Sequence, residues 1–336
     1  MRNLLKAAFL AALLLPAAKK IGSTEAPKDS DRDGLTDSLE DALLARFAPT
    51  FMVSRADCSG VPAQFALELK VPTVIADDGT IYGQAFPQKG HPNVVELHYY
   101  HLWRRDCGQM GHALDVEHVS ALVEVDGNAD SAKALYWYAA AHEDTVCDAS
   151  HLAQASKLAA GDRGATVWVS AGKHASFLSE EMCSHGCGGD RCEEMEKLQV
   201  RAIVNLGESQ APMQQIAWLR SAQWPLKSKL ERSDFADSRI ERVNRAPQDA
   251  IVWADPSKRP AQATILGVNA GIGGVEVGGR AADTALVIAD ASSSSALDTA
   301  TDKTGGSLKA TARNTWRAFK ISAQKTGDFL NGGKSK

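Results

Sequence analysis

Between residues 51 and 205 the chain runs in short apolar stretches broken by Gly, Asp, Asn and Pro. FALELKVPTVI, VVELHYYHLW, DVEHVSALVEVDG, ALYWYAAAH and ATVWVSAG each have the length and the β-branched and aromatic content of a strand. In DVEHVSALVEV the apolar positions Val116, Val119, Leu122 and Val125 recur among polar neighbours before a DGN turn. Runs of this kind at this spacing predict a mainly β (α+β) fold, an antiparallel β-sandwich. One helical pattern precedes them: in SLEDALLARFAP, Leu39, Leu43, Leu44 and Phe47 share a face. The mixed stretch 200–260, with Trp218, Trp224 and Trp253, reads as a helical or irregular wrap on the sandwich. The expected organisation is a signal peptide at 1–18, a calcium-binding loop and helix at 29–48 and a sandwich core with its wrap at 49–260. A small-residue-rich segment at 261–306 and an amphipathic helix or tail at 307–336 complete it.

Composition narrows the class. The 336 residues carry 37 Lys and Arg against 41 Asp and Glu, so there is no basic excess to hold a phosphate backbone, and nucleic acid is excluded as a general partner. Arg2 and Lys6 precede an apolar run that ends in small residues near Ala17 and Ala18, the pattern of a secretory signal and too short for a membrane span. A secreted or periplasmic protein with no transmembrane segment in the mature chain follows. The basic face of 307–336 docks on the domain or makes a peripheral membrane contact.

Six cysteines, Cys58, Cys107, Cys147, Cys183, Cys187 and Cys192, suit an oxidising compartment and predict disulfides, whose pairing sequence does not fix. CSHGCGGDRC also holds enough soft ligands for zinc, although its spacing matches no common zinc module.

Two segments carry metal-ligand chemistry. In DSDRDGLTDSLE, counted from Asp29, oxygen ligands fall at positions 1, 3, 5, 9 and 12 with Gly34 at position 6, the pattern of a calcium loop. Asp29, Asp31, Asp33, Asp37 and Glu40 are the expected Ca2+ ligands, and helix-capping aspartates are the alternative. In GHALDVEH, Asp115 and Glu117 project from one face of a strand while His112 sits in the loop before it. Two carboxylates and an imidazole around one point suit a divalent cation, Ca2+ or Mg2+. His174 in SAGKHASF, or Asp144 in AAHED, is expected nearby as a further ligand or supporting group. His118 has the opposite parity and reads as a packed residue.

GHALDVE resembles the heptapeptide GHRHDWE of the necrosis- and ethylene-inducing-like proteins, keeping Gly111, His112, Asp115 and Glu117. The fuller run of RFAP at 46–49, DVEH and AGKHASF is similar to proteins related to vacuolar protein sorting-associated protein sixty-two. The resemblance implies a β-sandwich with a metal-assisted polar cleft. Leu114 replaces the heptapeptide's second histidine and Val116 its tryptophan, so membrane-damaging activity does not carry across.

Three functions compete. A binding protein uses the His112, Asp115 and Glu117 cation to hold a glycan, phosphate or lipid head group. A hydrolase uses the metal to activate water, with Glu117 or His174 moving a proton. A structural envelope module uses the same side chains only as hydrogen-bonding groups. The chain has no GxSxG elbow and no HExxH helix, which removes the commonest serine-hydrolase and zinc-protease routes.

Overall fold

The computed structural model describes residues 27–108, 111–145, 148–184, 190–209, 211–213, 215–216, 229–230, 232–246 and 250–255. The segments expected at 1–18, 261–306 and 307–336, together with Cys147 and Cys187, lie outside the described residues. The fold is mainly β. Two sheets face each other, and α1 (Asp37–Arg46) closes one side of the space between them.

The smaller sheet is built from β1 (Thr50–Ser54), β9 (Thr166–Val169), β10 (Ser176–Phe177) and β11 (Met195–Lys197), in the order β10-β9-β1-β11. The larger takes β4 (Thr80–Pro87), β5 (Val94–Arg105), β6 (Ala113–Glu124), β7 (Lys133–Ala139), β8 (His151–Gln154), β12 (Ala202–Asn205) and β13 (Ile251–Trp253), in the order β12-β4-β5-β6-β7-β8-β13. A small hairpin pairs β2 (Ala63–Phe65) with β3 (Val74–Asp77). The pairing is not wholly antiparallel as expected: β1 runs parallel to β9 and β12 parallel to β4.

Strand parity divides the large sheet into two working faces. On β6, Val119, Ala121 and Val123 enter the core between the sheets with Phe51, Val167, Leu97 and Trp103. The alternate residues Val116 and Leu122 belong to separate apolar clusters on the other face, the second of them packed against α3 (Asp237–Arg245). Burial on both faces explains why β5 reads as an unbroken buried run from Val95 to Trp103. Leu43 and Leu44 of α1 are fully buried, and truncating either to alanine costs about 2–5 kcal/mol. Gly83 makes room for them, since a side chain there would meet Leu44 at 2.9 Å.

Two expectations change. FALELKVPTVI is not one strand: β2 ends at Phe65 and β3 begins at Val74, with Leu69 and Val71 exposed between them. Pro72 lies in that gap, where its missing N–H costs no ladder bond. The stretch 200–260 is not simply a wrap, because β12 and β13 are the two edge strands of the large sheet. Cys58 pairs with Cys107, and Cys183, in the short helix α2 (Glu180–Ser184), pairs with Cys192. The second bond removes Cys183 and Cys192 from the zinc alternative. No described helix is long and apolar enough to cross a membrane.

Candidate functional site

Asp115 and Glu117 share the parity of Val119, so they continue the inner face of the large sheet to the end of the sandwich, where apolar packing gives way to charge. Three loops meet them there. The Cys58–Cys107 disulfide holds the loop after β1 against the end of β5, and Cys107 N–H donates to Gly172 O at 2.8 Å. Gly172 N–H in turn donates to Asp57 at 2.6 Å. The turns run through left-handed backbone at Leu114, His142, Asp144 and His174, none of them glycine. Such conformations concentrate where surrounding structure dictates them.

His174 lies at the centre, fully buried and stacked on Trp103 with ring centroids 4.0 Å apart. Its Nδ1 is 2.9 Å from Asp115 Oδ2 and its Nε2 is 3.2 Å from Asp57 Oδ1. Burial opposes the imidazolium, but hydrogen bonds and charge from Asp115 and Asp57 outweigh it and push His174 up to about 9. Burial drives both aspartates upward, but the hydrogen bonds and charges that oppose it, His174's first among them, together leave each below its ordinary value. The expected neighbour of Asp115 is therefore present, as an ion-pair partner. The other oxygen of Asp115 accepts from Val116 N–H at 2.9 Å.

Glu117 is 7% exposed, and its Oε2 has no hydrogen-bond partner. Burial lifts its pKa to about 8, with Lys229 opposing and Asp115 reinforcing the shift. His142 lies within electrostatic range, bonded to Asp190 at 2.7 Å, and burial there is outweighed by Asp190, which lifts the imidazole to about 9. Lys229 pairs with Glu143 at 3.3 Å, and Arg232 also contacts Glu143. His112 is largely exposed: Nδ1 lies 3.1 Å from Leu114 O, and Nε2 is 3.7 Å from Asp106, which Lys173 holds at 2.8 Å. Asp144, at 73% exposure, turns to Arg232 rather than to Asp115. Among the described residues, His112, Asp115 and Glu117 do not form a group whose ligand atoms all lie within 4.8 Å. A cleft of about 240 Å3 is lined by Tyr138, Glu143, Asp144, Arg232 and Arg239, and His112, Asp115 and Glu117 are not in its lining.

His118 faces the opposite way, as its parity requires. It is fully buried, 2.9 Å from Asp234, which also accepts from Ser120 at 2.6 Å, and His98 stacks beside it. His98, His118 and Asp234 lie close enough to hold a metal ion, but Asp234 is already committed to hydrogen bonds.

The N-terminal loop brings Asp29, Asp31 and Asp33 within 4.8 Å of one another, a group able to hold a metal ion. Asp31 and Glu40 form a second such group with Glu208, which sequence reading did not identify. Asp37 is turned to Ser30, accepting from its N–H at 2.9 Å and its hydroxyl at 2.8 Å. Sequence reading also missed Asp57, Asp106, Asp190, Lys173, Lys229 and Arg232. Lys173 stood next to His174 in GKH and Asp190 within CSHGCGGDRC, while the others sit in segments with no local pattern.

No protein-family model matches the chain, and no curated protein matches it. Among solved structures it is weakly similar to necrosis and ethylene-inducing proteins. NLPPya in complex with glucosamine is 16% identical with a TM-score of 0.33, covering 63% of this chain and 85% of that one. NLPPya in complex with mannosamine gives 16% and 0.33, covering 65% and 92%. Necrosis and Ethylene inducing Protein 2 from the causal agent of cocoa's Witches Broom disease gives 18% and 0.33, covering 64% and 94%.

Proposed function

We propose that this is an exported binding protein that recognises a glycan, phosphate or lipid head group at the end of β6, with Ca2+ or Mg2+ held beside Asp115 and Glu117 and a separate Ca2+ held by the loop at 29–40. The observation that carries the reading is the Oε2 of Glu117, buried without a hydrogen-bond donor at the charged end of β6. A carboxylate oxygen left this way costs stability unless a cation or a ligand donor completes it. Asp115 fits a shared cation, because each of its hydrogen-bonded oxygens keeps a second lone pair. The exposed His112 supplies an imidazole at the rim, and the separate cleft that holds Arg232 and Arg239 offers donors to an anionic or hydroxylated part of the same ligand. Two disulfides support the exported setting.

The test is calorimetric titration of glucosamine, mannosamine and phosphocholine into the full chain with Ca2+, with Mg2+ and with chelator, repeated on Glu117→Gln. Cation-dependent binding of one head group, lost in the variant, is the expected result. Equal binding in chelator overturns the cation's role. No binding of any of the three overturns the reading and favours a structural module.

A further inference from the structure

The acidic loop at 29–40 does not stand alone in the fold. After β12 the chain turns at 206–209, with Leu206 N–H donating to Gly83 O at 2.8 Å and Ala211 N–H to Glu208 O at 2.9 Å. Gly207 has φ +111°, and a side chain there would come within 2.9 Å of Asp31 Oδ2, so this turn lies flush against the loop. It delivers Glu208, which is only 4% exposed, to within 4.8 Å of ligand oxygens of Asp31 and Glu40. Oε2 of Glu208 and Oε2 of Glu40 are both buried without a hydrogen-bond partner.

Among the described residues, no Lys, Arg or His forms an ion pair with Glu40 or Glu208. Lys28, 64% exposed, pairs with Asp37 at 3.5 Å, at the edge of the cluster. Backbone N–H groups engage Asp29, Asp31 and Asp33, from Arg32, Gly34, Asp33 and Leu35, which shapes the loop but leaves its charge in place. Glu208 also faces Glu40 and Asp37 at hydrogen-bonding range, contacts that carboxylates tolerate only by sharing a proton or a cation.

We propose that Glu208 is a ligand of the N-terminal calcium loop, so that one cation is held jointly by the segment 29–40 and the turn after β12. This rests on the calcium reading of that loop and extends it: a hard, oxygen-rich site of this kind suits Ca2+, which takes six to eight oxygen ligands in flexible geometry. A calcium loop built from consecutive residues closes on itself. Here the last ligand comes from the edge of the large sheet, and the ion becomes a clamp between the α1 segment and β12.

The experiment titrates CaCl2 into the full chain, into Glu208→Gln and into Asp31→Ala plus Asp33→Ala, with hydrogen exchange read at 29–40 and 206–209. Calcium should protect both segments in the wild type. In Glu208→Gln the affinity of the loop site should fall about tenfold or more, a change of about 1.4 kcal/mol per decade. The melting temperature without calcium should stay level or rise, because one buried acid has been removed from a repelling group. A merely structural Glu208 would lower it instead. Wild-type affinity in Glu208→Gln overturns this proposal and leaves the loop site standing. Equal calcium binding in the double aspartate variant, or no protection at 29–40 in the wild type, overturns the loop reading itself. If Glu208→Gln does not fold, calcium-dependent protection of 206–209 in the wild type decides: its presence supports the clamp and its absence overturns it.

Discussion

The two acidic regions of this protein are built from the same residue types and meet opposite electrostatic fates. At the end of β6, Asp57 and Asp115 face His174, Asp106 faces Lys173, and Glu143 faces Lys229 and Arg232. At the N-terminus, Glu40 and Glu208 face other carboxylates. The first region carries its own counter-charges, so a cation entering it must exchange with internal partners. Among the described residues Glu40 and Glu208 face no counter-charge, so a cation for them must come from solution. Affinity and selectivity should therefore be decided by competition in the first and by charge deficit in the second.

The sharpest way to break this contrast is His174→Ala. It leaves Asp57 and Asp115 facing each other without their shared cation and removes the ring stacked on Trp103. Removing one partner of a buried pair typically costs about 3–5 kcal/mol. Urea unfolding should show a loss of that size, and a loss under about 1 kcal/mol would mean that the ion pair is not holding the site together.

Chelation addresses the other region. At calcium 100 to 1,000 times the dissociation constant, binding adds about 2.7–4.1 kcal/mol. The melting temperature should fall by roughly 2–4 °C per kcal/mol when calcium is withdrawn. The Asp31→Ala plus Asp33→Ala variant should lose most of this response. If it melts with the wild-type calcium dependence, the charge deficit at the N-terminus is not what calcium satisfies.

A third measurement separates both regions from the general acid response. His151 is fully buried, placed by Ala149 O on Nδ1 and Leu178 N–H on Nε2, and burial lowers its pKa from 6.5 to about 4. Between those values the unfolded chain binds the proton and the folded chain does not, so stability rises with pH across the window and is lost on acidification. The slope is about 1.4 kcal/mol per pH unit. His151→Gln should flatten the stability profile between pH 6.5 and 4 by close to one proton. An unchanged slope would show that the ring is protonated in the fold.

The smallest expected effect is the stability of Glu117→Gln. The carboxylate oxygen Oε2 has no partner to lose, so the change should stay under about 1 kcal/mol while head-group binding disappears. A larger loss would place Glu117 among the internally paired acids and blur the contrast between the regions.

Local pattern carried much of the architecture. β5, β6, β7 and β9 fall on runs that read as strands, and α1 buries Leu43, Leu44 and Phe47, the apolar stripe of its sequence. Parity on β6 correctly separated Asp115 and Glu117 from His118, because successive strand side chains must alternate whatever they pack against. The edge strands β12 and β13 are three to four residues long, too short for periodicity to speak.

The acidic loop was legible because Asp29, Asp31 and Asp33 recur within one short segment and Gly34 turns the chain. Glu208 was not, for its only credential is where the turn after β12 lands, which depends on β12 pairing with β4 and on Gly207 lying against Asp31. The same holds for His174, whose sequence marked it as a group at a strand end. Its partners Asp57 and Asp115 come from distant segments joined through the Cys58–Cys107 bond and the packing of two sheets. Sequence alone determined which residues can carry charge and which must be buried. Only the tertiary structure decided which charges face a counter-ion and which face each other, since Coulomb energy depends on distances that chain-local spacing does not set.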